Sequence, residues 1–472
     1  MNDHHAFSTF ETSFTPPSLP QGGGTLRGMG ESLSQAGPDG QVSLTIPLPV
    51  LAGRGFAPRL ALNYHSASGN GPFGLGWGCG TMRIVRRTSH GVPQYNDDDQ
   101  FLAPDGEVLV RTVGTTNEPN PTLVSEYNGE ALSQTWTVTR YQPRIEHYSS
   151  RVEFWQGEDG SQFWLLHGSD GTLHMLGKTR AAQICDPVRS EYIAEWLLEE
   201  SVNPHGEHIW YRYQAENTDN LDLSGNEQGR DHSANRYLIQ VMYGNEISSP
   251  GLYLWNGDTP SAQWLFALIF DYGERSLDPQ TPPTFDTVGT WPARQDPFSS
   301  YQYGFETRTH RLCRQVLMFR MQGNRTALIS RLLLEYDENP LLTQLIGAQR
   351  LAYQQDPTPS DAANNVLEQL PPLDIDYSAP DYRGDKNGWR QMPALPGLND
   401  RPYQLVDLYG EGVPGVLYQD AAAWRYRAPV RGEGGGDDVA YADWQTLAQM
   451  PSLGGAASRL MDINGDGHPE WL

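Results

Sequence analysis

Apolar and polar residues alternate with a period of two over most of the chain. Leu44, Ile46 and Leu48 point one way, and Leu60, Leu62 and Tyr64 repeat the pattern after the turn at Arg54-Gly55, as two paired strands would. The same period recurs over 163–167, 173–176, 209–213, 237–243, 266–272 and 332–336. Turn signals such as Ser169-Asp170-Gly171 and Asn203-Pro204-His205-Gly206 separate these runs, which is what hairpins require. Helical periodicity is weak: residues 341–353 have the apolar spacing of a short helix but pass equally as a strand. The pattern predicts a mainly β protein, with a large irregular antiparallel β-sheet domain over residues 38–378. Residues 1–37 carry neither period. With Thr15-Pro16-Pro17 and Gly22-Gly23-Gly24 they read as a flexible Gly/Pro-rich arm.

The texture changes near Pro371-Pro372, and an internal repeat follows. Residues 405–417 (LVDLYGEGVPGVL) align with residues 460–472 (LMDINGDGHPEWL) at an offset of 460 − 405 = 55 residues. Strand-built repeats of this kind suggest propeller blades. Residues 379–472 are therefore expected to form an incomplete β-propeller segment with FG-GAP/VCBS-like repeats beginning near 405 and 460. Two copies cannot close a ring, so the chain reads as the front part of something longer.

Composition sharpens this picture. A chain of 472 residues has room for about three domains, and 49 Gly with 35 Pro favour turns over helices. The formal charge of −24 repels phosphate backbones and anionic lipid heads, which argues against nucleic acid or a membrane surface as a general partner. No apolar stretch is long enough for a membrane span, so insertion by this chain is not expected. Three cysteines, Cys79, Cys185 and Cys313, are too few and too widely spaced for a disulfide framework. The start, Met1-Asn2-Asp3-His4-His5, has neither the basic nor the apolar region of a secretory signal. Synthesis in the cytoplasm without a signal peptide is expected, with export, if any, by another route.

Few motifs carry chemistry. Asp462, Asn464, Asp466 and Glu470 place oxygen-bearing side chains along a tight turn in which Gly467 lets the backbone fold round an ion, a calcium-type arrangement. The alternative is a plain blade-entry turn whose side chains cap backbone amides. Gly69-Asn70-Gly71-Pro72-Phe73-Gly74 matches a dinucleotide fingerprint formally, but the glycines that follow would cost about 1 kcal/mol each in a helix, so a tight bend anchored by Phe73 and Trp77 is expected. Residues 171–179 resemble a phosphate loop, yet Leu173 and Met175 continue a strand. His205 and His208 read as hairpin histidines, and Asn96-Asp97-Asp98-Asp99 as a solvated loop. Trp155, Trp164, Trp196, Trp210, Phe266 and Phe270 are expected in the wall core, and Trp389, Trp424 and Trp444 in blade packing. No catalytic residue and no certain cofactor is assigned.

Longer stretches carry a resemblance. Ser43-Leu-Thr-Ile-Pro-Leu-Pro-Val50, Ser68-Gly-Asn-Gly-Pro-Phe-Gly-Leu-Gly-Trp77, residues 86–96 and 101–110, and Leu332-Leu-Leu-Glu-Tyr-Asp-Glu-Asn-Pro340 are similar to the N-terminal domain shared by SpvB virulence proteins and the B components of insecticidal bacterial toxin complexes. In the SpvB branch that domain is coupled to an ADP-ribosyltransferase, whose signature holds a Ser-Thr-Ser strand and a Glu-x-Glu turn. Neither occurs in this sequence. In the toxin-complex branch, the resemblance implies a part of an Rhs-type shell and a propeller that docks on a pore. It implies as partners a toxin complex C component and the pore-forming A component. The expected function is thus a non-catalytic structural and docking component of a secreted toxin complex. A carbohydrate- or cell-surface-binding module is the alternative, because tryptophan-bearing sheets and calcium turns also suit sugars.

Overall fold

The computed structural model describes residues 28–353 except 35–36, 38–39, 113–120, 128, 146–150, 256 and 324. It then describes 366–378, 403–410, 412–419, 423–432, 439–448, 460–463 and 469–471. Nearly all its regular structure is antiparallel strand, with three single-turn 3-10 helices among the described residues. Among the described residues no helix is long and apolar enough to cross a membrane. The chain divides into two compact units, Met1–Asp376 and Tyr377–Leu472.

The first unit is organised by a ring of strands that closes on itself. Arg83–Arg86, Phe101–Leu102, Val108–Arg111, Glu130–Pro143, Arg151–Gly157, Gln162–His167, Leu173–Leu176 and Ile193–Val202 pair in that order, and the last pairs again with the first. An eight-strand ring has an interior just wide enough for side chains. Aromatic rings fill it. Phe101 and Trp164 stand on opposite strands of the ring, yet their centroids are 5.0 Å apart, which is possible only across the interior. Phe154, Tyr141 and Trp196 complete the cluster, at 4.6, 5.1 and 6.0 Å from Trp164.

Ile193–Val202 is a branch point, and all ten of its residues are buried. Along one edge, Glu195–Leu197 close the ring against Arg83–Val85, while Glu200–Val202 start a second sheet against His208–Trp210. That sheet runs on through Arg236–Asn245, Trp264–Asp271, Gln315–Gln322, Arg325–Glu338 and Thr343–Tyr353. The ambiguous stretch near 341–353 is thus a strand: Thr343–Tyr353 pairs along its length with Arg325–Glu338, and its other edge pairs in part with Val366–Gln369 and Leu373–Asp374.

Most of the expected arm, residues 1–27, lies outside the described residues. Its described end is tied down: Met29 is buried, and Ser32–Leu33 pairs with Ser43–Pro47. Trp155, Trp164, Trp196 and Phe270 are buried and Trp210 and Phe266 half-buried, as the core reading expects.

In the second unit, Tyr403–Val406, Gly415–Gln419, Trp424–Arg427 and Gln445–Leu447 form a four-stranded antiparallel sheet. The hairpin Pro429–Arg431 with Val439–Tyr441 is inserted before the fourth strand. Trp424 is buried in a small core with Leu417 and Tyr426, whereas Trp444 is exposed, meeting the Tyr418 ring edge to face and lying under the Arg427 guanidinium. Trp389 lies outside the described residues.

Candidate functional site

The expected calcium turn joins the paired strands Leu460–Met461 and Glu470–Trp471, so the hairpin brings Asp462 and Glu470 to one end. The Glu470 carboxylate accepts the Ile463 amide at 2.8 Å. Asn464 and Asp466 lie outside the described residues. In the matching copy, Asp407 Oδ2 accepts the Gly412 amide at 2.6 Å, so that turn uses its acid to hold its own backbone.

The other motifs resolve into structure. The glycine-rich stretch folds into Asn70–Gly71, Gly74–Leu75 and Trp77–Cys79, with Phe73 and Trp77 buried. A Cβ on Gly76, whose φ is +80°, would come within 2.5 Å of the Tyr64 ring, so this backbone approach needs glycine. Asp296 pins the hairpin to the sheet by accepting Asn70 Nδ2 at 3.0 Å, the Thr343 amide at 2.8 Å and Arg294. Residues 173–176 are a strand, as the alternation of Leu173 and Met175 indicates.

Buried acids hold loops. Glu200 and His208 are fully buried and joined at 2.7 Å, and Glu200 also accepts the Tyr253 and Leu254 amides at 2.8 and 3.0 Å. His205 stays exposed in the hairpin turn. The run Asn96-Asp97-Asp98-Asp99 is more than a solvated loop. Asp97 is exposed, but Asp99 pairs with buried Arg86 at 2.8 Å and accepts the Gln94 and Tyr95 amides. Arg86 in turn lies over the rings of Phe101 and Trp196, closing one end of the aromatic cluster. Glu199 accepts the Thr179 amide at 2.9 Å, and burial pushes its carboxyl up to about 7.

One cluster is different. Glu227, His232 and His310 converge with ligating atoms within 4.8 Å of one another, although they are remote in sequence. Both ring nitrogens of buried His232, and Oε2 of Glu227, have no hydrogen-bond partner. Sequence reading missed this group because 5 and 78 residues separate its members (232 − 227 and 310 − 232), and no local spacing announces them.

A closed, aromatic-filled eight-strand ring extended by a long antiparallel sheet defines a mainly β protein. The comparisons place it. The family model for the Salmonella virulence plasmid 65kDa B protein, SpvB, matches residues 36–321. The mono(ADP-ribosyl)transferase SpvB of Salmonella dublin is 54% identical over 409 residues, covering 84% of this chain and 68% of that protein. Its counterpart in Salmonella typhimurium strain 14028s is 58% identical over 357 residues, covering 75% and 59%. Among solved structures, the N-terminal domain of effector protein SpvB from Salmonella typhimurium LT2 matches with TM-score 0.64 and 61% identity, over 66% of this chain and 98% of that one. The TcdB2-TccC3 structure matches with TM-score 0.82 and 45% identity, over 97% of this chain and 22% of that one. The Photorhabdus luminescens Tc holotoxin pore matches with TM-score 0.83 and 44% identity, over 98% and 21%. The chain belongs to the SpvB family.

This overturns the expected function. A purely structural docking component, or a sugar-binding module in its place, does not describe a family whose curated members carry the name of an enzyme, mono(ADP-ribosyl)transferase. The physical reason is coverage. Wall-like sheets speak only for the residues that form them, and the chain spans 59–68% of the length of these relatives.

Proposed function

We propose that this chain is the β-sheet carrier of an SpvB-type mono(ADP-ribosyl)transferase toxin, with the transfer of ADP-ribose performed by residues outside its own sequence. The observation that carries this reading is the 54% identity over 409 residues with a protein named for that activity. The lack of a Ser-Thr-Ser run and of any Glu-x-Glu supports assigning the chemistry elsewhere. So does the engagement of Glu199, Glu200 and Asp296 in loop-holding bonds. As partners we propose a C component of the TccC3 kind and the pore-forming A component of a toxin complex, outside the producing cell. The likeness to TcdB2-TccC3 and to a holotoxin pore supports this. A chimera in which this chain replaces the matched part of the Salmonella dublin relative tests the reading. With labelled NAD and host-cell lysate, the chimera is expected to label host protein as the relative does. A folded chimera that no longer labels overturns it.

Residues 379–472 are proposed as the start of a β-propeller. The four-stranded antiparallel sheet and the second hairpin at the repeat offset support this, since a blade is a four-stranded sheet. Calcium held by Asp462, Asn464, Asp466 and Glu470 is proposed for the second repeat.

A further inference from the structure

The loop of residues 216–235 and the segment of residues 298–311 meet around Glu227, His232 and His310. Each is held in place by its own local bonds. Glu227 ends the one-turn helix Gly225–Glu227. His232 sits in a turn closed by Asp231, which accepts the Ser233 amide at 2.9 Å. The His310 main chain is fixed on both sides: its N–H donates to Glu216 Oε2 at 2.9 Å, and its carbonyl accepts from Arg294 N at 2.9 Å. The imidazoles of His232 and His310 are 2% and 3% exposed and stand edge to face with centroids 5.0 Å apart.

We propose that Glu227, His232 and His310 bind a structural divalent transition-metal ion, Zn2+ by its ligand chemistry, which fastens these two segments together. A buried imidazole with neither nitrogen satisfied is destabilising, and native proteins rarely leave such groups unpaired. Something must satisfy His232 and Glu227 Oε2. Glu227 Oε2 lies 3.7 Å from His232 Nε2 and 3.3 Å from His310 Nε2. Ligand bonds of about 2.0–2.2 Å in a tetrahedral site separate neighbouring ligand atoms by about 3.3 Å, so Glu227 Oε2 already stands near ligand spacing from each imidazole. Two imidazoles and one carboxylate are a donor set that suits zinc, with a fourth position left for water.

The rival occupant is Arg308. Its Nε lies 3.3 Å from His310 Nε2 and competes for that lone pair. Its other bonds, to Glu227 Oε1 and to Ser299 Oγ, leave Glu227 Oε2 and both nitrogens of His232 unsatisfied. The metal displaces the single contact to His310 and keeps the rest. The surrounding charge allows a cation: the four carboxylates Glu216, Glu227, Asp231 and Glu306 face the three guanidinia Arg230, Arg308 and Arg311, which leaves −4 + 3 = −1.

The test uses the whole purified chain, stripped with chelator and then titrated with zinc, with metal content read by elemental analysis after dialysis. About one zinc per chain is expected, together with the visible d–d spectrum of four-coordinate cobalt when Co2+ replaces zinc. Zinc should also raise the unfolding temperature. His232→Gln should weaken zinc binding more than about 100-fold, beyond the 10–100-fold typical of losing an outer partner, and abolish the thermal response. Glu227→Gln serves as the second variant should His232→Gln fail to fold. Failure of the wild-type chain to retain zinc at micromolar free metal overturns the proposal in favour of the guanidinium. Equal zinc content in wild type and a folded His232→Gln variant overturns it in favour of a site elsewhere. Neither outcome touches the carrier reading, which is judged by label transfer from NAD.

Discussion

At the residue scale the molecule is governed by charges placed inside sheets. Glu199 makes the point: it stands in a fully buried strand, and burial pushes its carboxyl from an ordinary 4.5 up to about 7. Between those values the folded protein holds a proton that the unfolded chain has released. This group's contribution to stability therefore falls as pH rises from about 4.5 to 7, by at most about 3 kcal/mol. Glu199→Gln keeps an acceptor for Thr179 and cannot ionise. It should match or trail the wild type near pH 5 and exceed it at pH 8 by up to that amount, as read by denaturant unfolding at the two pH values. A stability difference that does not change with pH would show that the carboxyl is not so perturbed. Residues of this kind were the least legible in the sequence, because Glu195, Glu199 and Glu200 interrupt the apolar pattern of Ile193–Val202 and hide a core strand.

At the scale of elements, alternation was informative where one face of a strand is wet. His208–Ala215, with Arg212 and Gln214 exposed, contains the expected run 209–213. Strands buried on both faces lose the period of two. Ile193–Val202 is one, and it is also the branch point, so the closure of the eight-strand ring was invisible before the pairings were known. The rejected nucleotide fingerprint was legible for a physical reason: glycine at that density excludes a helix, and the structure puts a hairpin there. The site cluster at Glu227, His232 and His310 depends on contacts between distant segments and had no local signal. The repeat carries the prediction proper to this scale. Calorimetric titration of the chain with Ca2+ should give a saturable dissociation constant of about a millimolar or tighter, the range of extracellular modules, and Asp462→Asn should remove it. Absence of binding by the wild type would leave the turn at 462–470 as a capped hairpin like its copy at 407–412.

At the scale of the molecule, two branches of relatives bear on one chain. Enzymes named mono(ADP-ribosyl)transferase match 75–84% of it, and toxin-complex structures match 97–98% of it. A carrier whose transfer chemistry lies elsewhere reconciles them, and catalysis by this chain alone decides the matter most directly. The purified 472-residue chain, incubated with labelled NAD and host-cell lysate beside the Salmonella dublin relative, is predicted to transfer no label above its heat-denatured control while the relative labels strongly. Label transferred to host protein by the chain alone would contradict the account.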